Sequence, residues 1–220
     1  LRPTRPELAV LAATGLLLWV GGNGLVNWAE QRVDSGLAAL VVGTTPIWVA
    51  MMEGAVDRRP PSLLLAGSLL VGFAGLVVLT LPTLRAGATG DLLGIAALIF
   101  AAVSWGLGSI IVNRRSLGLD PIVVAGWQQV VGAVGFSVLA LSVGEPLPSP
   151  SPAAWAAWAY LVVFGSLLAY SCFVVALKLL PTPVVMTYAY VNPAIAVLLG
   201  WLILSEPITG STLAGMALIV

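Results

Sequence analysis

Residues 183–204, PVVMTYAYVNPAIAVLLGWLIL, form an unbroken run without a charged side chain. A hydrocarbon core ~30 Å thick is crossed by about 20 apolar residues at a rise of ~1.5 Å each, and this run is long enough. Near its middle stand one amide, Asn192, and one proline, Pro193. A polar group at that depth is costly against lipid and usually faces another helix or a cavity. The segment therefore predicts a membrane-crossing helix with a polar, distorted centre.

Seven further stretches share its character, at about 8–29, 35–56, 62–81, 90–112, 121–143, 153–179 and 210–220. Helix breakers separate them: Pro60 and Pro61, Pro82, the segment from Gly118 to Pro121, Glu145 and Pro146 through Pro152, Pro181 with Pro183, and Glu206 with Pro207. Lipid offers no partner to exposed backbone groups, so helical hairpins with short polar loops are the expected layout. The fold class is all-α, a polytopic membrane bundle of about eight transmembrane helices. The last run is too short to cross, which predicts a chain that ends inside a helix.

Composition agrees. The chain is 60% hydrophobic and 8% charged, with mean hydropathy +1.06, whereas a soluble domain carries about 25% charged residues. Nine basic and nine acidic residues balance, giving no reason to expect a nucleic-acid partner. There is no His, and Cys172 is the single cysteine, so an internal disulfide or a cysteine metal cluster is excluded. Basic residues alternate between the ends of the spans. Arg2, Arg5, Arg58, Arg59, Arg114, Arg115 and Lys178 fall on one side, and Arg32 and Arg85 on the other. By the positive-inside rule the first side, with the N-terminus, is cytoplasmic.

A shift of 147 residues lays the chain on itself. Thr45-Pro46 falls on Asn192-Pro193, Arg59-Pro60 on Glu206-Pro207, and Gly21-Gly22-Asn23-Gly24 on Leu168-Ala169-Tyr170-Ser171. With one residue of slippage, Leu65-Ala66-Gly67 falls on Leu213-Ala214-Gly215. The two Pro-containing helices are five spans apart, and an odd separation reverses direction through the membrane. Inverted repeats of this kind are characteristic of secondary transporters, with the site between the halves near the midplane.

Several segments resemble the EamA domains of the drug/metabolite transporter superfamily. They are Trp105-Gly106 through Asn113-Arg114-Arg115, Trp127-Gln128, the run from Tyr160 to Tyr170, and Tyr190-Val191-Asn192-Pro193 through Trp201 to Glu206-Pro207. The resemblance implies a ten-helix inverted-repeat transporter fold. Residues 1–85 would be the last three helices of the first repeat, and 86–220 the second repeat with its last helix truncated. It also implies export of metabolites such as amino acids, or of drug-like compounds.

Mid-span polar and aromatic residues give the candidate substrate-binding set. Trp19, Asn23 and Asn27 recur at four-residue steps, as do Ser166 with Tyr170 and Tyr188 with Asn192. The repeat relates Trp19 to Ser166, Asn23 to Tyr170 and Thr45 to Asn192. Trp105, Trp127 and Gln128 complete the set, with Ser104 a candidate beside them. These residues are expected to converge on one midplane cavity, with the fifth helix peripheral. Pro46 and Pro193 are expected helix breaks. Interhelical packing is the alternative for each. Trp155 and Trp158 begin their span, where an interfacial aromatic belt lies, and are set aside.

No set for catalysis is present: without His, and with no buried acid or Lys, nothing activates a Ser or Thr. No cofactor or metal site is expected. The lack of Lys or Arg in any span centre argues against phosphate-bearing substrates, where a fixed cation would be expected. The absence of a charge ring or filter motif argues against a channel. The leading expectation is a carrier exporting or exchanging a small organic solute by alternating access. A non-transporting membrane scaffold or assembly subunit is the alternative. Expected partners are the small-molecule substrate and the lipid bilayer, with a homodimer left open. Glu30, Glu53 and Glu206 are the acids closest to the spans, all near their ends, and none looks like a buried proton carrier.

Overall fold

The structure, a computed structural model, describes residues 2–115, 117–205 and 208–219. Among the described residues, seven helices are long and apolar enough to cross a membrane: α1 (Arg5–Ala29), α2 (Ser35–Asp57), α3 (Leu63–Arg85), α4 (Leu92–Arg114), α5 (Pro121–Val143), α6 (Pro152–Leu179) and α7 (Thr182–Ile203). A shorter apolar helix, α8 (Gly210–Ile219), follows. The chain is a multi-pass helical membrane bundle. Glu206 and Pro207, used above as a breaker and as half of the Pro motif, lie outside the described residues.

Local sequence sets the helix ends. The hydroxyls of Ser62 and Ser151 and the carboxylates of Asp91 and Asp120 accept N–H groups of the first turns of α3, α6, α4 and α5, satisfying donors that a helix start leaves open. The α1–α2 and α3–α4 connections are tied together. Val33 bridges Gly90, the Asp34 carboxylate accepts the Thr89 N–H at 2.5 Å, and Arg32 meets Asp91 at 3.1 Å while lying 4.5 Å over the Trp28 ring. The Gly94 N–H, and then Arg32, hold the Asp91 carboxyl below the usual carboxylate range. At the other membrane face Arg114 forks onto Asp57 with two bonds of 2.7 Å, joining α4 to α2.

Four helices depart from regular α geometry. α1 widens to π-type hydrogen bonding over Leu16–Gly24, and α6 does so over Leu161–Ala169. Such widening leaves carbonyls without their usual donor, and the Leu17 carbonyl accepts the Ser104 hydroxyl of α4 at 2.8 Å. Ser104 is thus an interhelical tie. α2 breaks at Gly43 and Thr44, and α7 at Thr187. In each break a threonine hydroxyl adds a second bond to the carbonyl that its own N–H already meets: Thr44 donates to Val41 at 2.6 Å and Thr187 to Val184 at 2.7 Å. Pro46 stands in the first turn after the α2 break, where its missing N–H costs nothing. Pro193 does not break its helix. It lies inside the second half of α7, and the interruption comes six residues earlier, at Thr187. Pro193 still withholds a donor from the carbonyl four residues before it, that of Ala189.

Small residues let the helices approach. α3 and α8 pack backbone to backbone: a Cβ on Gly75 would sit 2.9 Å from the Gly215 carbonyl oxygen, and one on Gly215 would sit 2.7 Å from the Leu79 nitrogen. Small residues at helix interfaces drive association in membranes, where apolar burial between helices contributes little. Replacing Gly215 by Ala should therefore destabilise the protein in detergent by roughly 1–3 kcal/mol, the usual cost of overpacking. Gly67→Ala on α3 meets open space and should leave the melting midpoint unchanged or raise it. Size-exclusion thermostability profiles of the two variants test this, and equal midpoints would refute the close α3–α8 contact.

Candidate functional site

The helix irregularities gather around two cavities that share walls. The first, about 680 Å³, lies among α1, α2, α3, α4 and α7 and borders Asn23, Thr45, Thr80, Trp105, Tyr188 and Asn192. The second, about 700 Å³, lies among α1, α4, α6 and α7 and borders Trp19, Asn23, Trp105, Tyr170, Tyr188 and Asn192. Asn23, Trp105, Tyr188 and Asn192 line both. The two spaces adjoin across these four side chains. Among the described residues lining either cavity, none is charged.

Aromatic side chains from three helices build the wall of the second cavity and a fourth closes it. Trp19 of α1 meets Tyr170 of α6 edge-on at 4.9 Å between centroids, and Trp105 of α4 meets Phe173 at 5.4 Å. Phe173 stacks on Tyr170 at 5.8 Å and touches Tyr188 of α7 at 5.7 Å. Offset and edge contacts of this kind each contribute about 0.5–1.5 kcal/mol beyond area burial, so the wall is a stiff surface. The indole nitrogens of Trp19 and Trp105 are buried and have no hydrogen-bond partner among the described residues.

Behind this wall runs a buried polar chain. The Tyr170 hydroxyl donates to Gln128 Oε1 at 2.8 Å, Gln128 Nε2 donates to the Thr14 hydroxyl at 2.8 Å, and Thr14 donates to the Val10 carbonyl at 2.8 Å. Gln128 and Thr14 are fully buried. The chain ties α6 to α5 and α5 to α1, and it fixes where the Tyr170 ring stands beside the cavity.

Besides Ser104, four of the candidate substrate-binding residues lie off both linings. Gln128 reaches the second cavity only through Tyr170. Trp127, its neighbour on α5, turns away from the core and is 38% exposed. Asn27 lies in the last turn of α1 and is exposed, and Val26 borders the first cavity in its place. Ser166 is half-buried but off the lining, because the cavity face of α6 runs through Gly165, Ala169, Cys172 and Ala176, one residue out of step with it. Pro193 borders the first cavity together with Ala189, so the carbonyl it frees belongs to the lining. Phe173, Cys172, Thr80, Thr83 and Ser35 also line the cavities without having been singled out. Phe173 follows Tyr170 by one helical turn, a signal that was available. Ser35, Thr80 and Thr83 stand near span ends, where polar residues are common.

Comparison with known proteins fits this architecture. A sequence model of the EamA-like transporter family matches residues 92–220. The uncharacterized inner membrane transporter YedA of Escherichia coli is 32% identical over 202 residues, covering 91% of this chain and 64% of YedA. A WAT1-related chloroplastic protein of Arabidopsis thaliana is 28% identical over 205 residues, covering 89% of this chain and 49% of that protein. Protein PecM of Dickeya dadantii is 28% identical over 200 residues, with 89% and 65% covered. The chain thus spans less than two thirds of the length of these relatives. A solved crystal structure shares the fold with a TM-score of 0.78 and 23% identity, covering 100% of this chain and 76% of that one.

The polar chain makes a prediction of its own. Gln128→Leu strands the Tyr170 hydroxyl in an apolar interior, while Thr14 keeps its bond to the Val10 carbonyl, at a cost of about 1–3 kcal/mol. Tyr170→Phe should lower the melting midpoint in the natural background and add little once Gln128 is Leu. A double-mutant cycle on thermostability measures this coupling, and an equal effect of Tyr170→Phe in both backgrounds would dismiss it.

Proposed function

We propose a function for this chain from one fact: it belongs to the EamA-like transporter family. The proposed activity is transport across the cytoplasmic membrane, exporting or exchanging a small organic metabolite, amino-acid-like or drug-like, by alternating access. The proposal concerns the whole protein, whose relatives are longer than this chain. Residues 1–85 are assigned to the end of a first repeat and 86–220 to a second, with the N-terminal side of α1 facing the cytoplasm.

The observation that carries the reading is the pair of adjoining cavities of about 680 and 700 Å³, walled by aromatics and amides and bare of charge among the described residues. That volume suits a small ligand. An uncharged wall fits a solute whose charge is zero or internally balanced, and it supplies no counter-ion for a phosphate ester. Asn23, Asn192 and Tyr188 offer hydrogen bonds at the seam, and the aromatic wall offers faces for an apolar or aromatic body. The breaks in α2 and α7 also support a carrier. Discontinuous helices at the substrate site are a transporter feature, and Thr45 and Thr187, beside the two breaks, each border a cavity.

Proteoliposomes of the full-length protein, loaded with a panel of neutral, zwitterionic and phosphorylated small metabolites, test the proposal. The expected outcome is exchange of at least one neutral or zwitterionic compound and none of the phosphate esters. Asn192→Ala should reduce that exchange by about tenfold, equivalent to ~1.4 kcal/mol, with membrane insertion unchanged. Full transport by the Asn192→Ala variant, or transport of phosphate esters alone, would contradict the site.

A further inference from the structure

A third cavity, about 260 Å³, lies apart from the aromatic wall, where the ends of α4 and α6 meet the start of α5. Its floor is apolar, formed by buried Leu119, Val124 and Val174 with half-buried Leu117. Its rim is cationic, formed by Arg114, Arg115 and Lys178. The rim charges differ in their company. Arg114 is held by Asp57 at 2.7 Å and has Glu53 at 3.9 Å, so its charge is balanced. Arg115 and Lys178 are exposed and enter no ion pair among the described residues.

Two further acids, Glu7 and Asp120, stand near this end, and both are engaged by other donors. Glu7 accepts the Gly118 N–H at 2.9 Å and both donors of Thr4, and Asp120 accepts the Ile122 N–H at 2.8 Å. Cations near a helix C-terminus ordinarily serve its open carbonyls. Here the Asn113 amide takes the carbonyls of Leu177 and Leu180, and Lys178 donates no hydrogen bond to a carbonyl among the described residues.

We propose that this pocket binds the phosphate of an anionic phospholipid, with Arg115 and Lys178 on the phosphate and the glycerol end of the acyl chains against Leu117 and Leu119. Location selects a lipid over a soluble anion. α4 ends at Arg114 and α5 begins at Pro121, so the pocket lies at the edge of the hydrocarbon core, where headgroups stand. Its apolar floor suits acyl chain and would give nothing to inorganic phosphate. Basic pockets between membrane helices are a common form of headgroup site. The inference is independent of the transport reading.

Native mass spectrometry of the full chain, released from micelles doped equally with phosphatidylglycerol and phosphatidylcholine, tests it. The natural protein should retain one phosphatidylglycerol in preference to phosphatidylcholine. Arg115→Ala with Lys178→Ala should reduce that preference by about tenfold, while Arg115→Lys with Lys178→Arg should keep it. Arg58→Ala with Arg59→Ala removes two cations at the same membrane face but outside the pocket, and should also keep it. Size-exclusion profiles confirm that each variant is folded. Three results would overturn the assignment: an undiminished preference in the double-alanine variant, an equal loss in the Arg58 and Arg59 control, or displacement of the lipid by millimolar inorganic phosphate.

Discussion

Lipid offers no hydrogen-bond partner, and most of this structure follows from that. In α1, α2 and α7 the places where the backbone leaves regular α geometry are answered from within the protein. Ser104 serves the carbonyl freed in α1, Thr44 and Thr45 serve the break in α2, and Thr187 serves the break in α7. The same constraint makes Gln128 the centre of a chain from Tyr170 to Thr14, since an unpartnered amide at that depth would be costly. Buried side-chain atoms left over among the described residues are few: the indole nitrogens of Trp19 and Trp105, and the Thr182 hydroxyl. Both indoles stand in the wall of the second cavity.

Irregularity and cavity belong together. A regular apolar helix has nothing to offer a solute, because its polar groups are all internal. Widened turns and broken helices release carbonyls and let side chains turn inward, and these segments border the two cavities together with the regular helices α3 and α4. Small residues elsewhere, as at Gly75 and Gly215, allow the surrounding helices to close tightly. The result is a firm frame around an interior that is polar without being charged, which is why the solute proposed for it is neutral or zwitterionic.

The sequence discloses the frame more readily than the site. Apolar runs and most breakers mark the spans closely, and α5 begins and ends at 121 and 143 in both readings; Pro82 is the exception, since α3 continues through it to Arg85. The π-type widening of α1 and α6 has no residue signature and could not be read. Proline misleads in α7, where the interruption comes at Thr187 and Pro193 is accommodated beside a cavity. On α5 the adjacent Trp127 and Gln128 look equally promising, yet about 100° of helix rotation sends one outward and buries the other. Which side chain reaches a cavity depends on the neighbouring helix, and periodicity within one helix does not contain that information.

The central claim is that the polar and aromatic faces enclose a space that water and solutes reach, and are more than packing between helices. Cys172, the single cysteine, borders the second cavity and is exposed, so it reports on that space directly. The decisive measurement is its reaction with a charged, membrane-impermeant methanethiosulfonate in sealed vesicles holding the full-length protein, with Cys172→Ser as the blank. The account predicts labelling in the intact membrane. A thiol that stays unreactive until detergent dissolves the bilayer would contradict it, and would place Cys172 against lipid and the polar residues in packing roles.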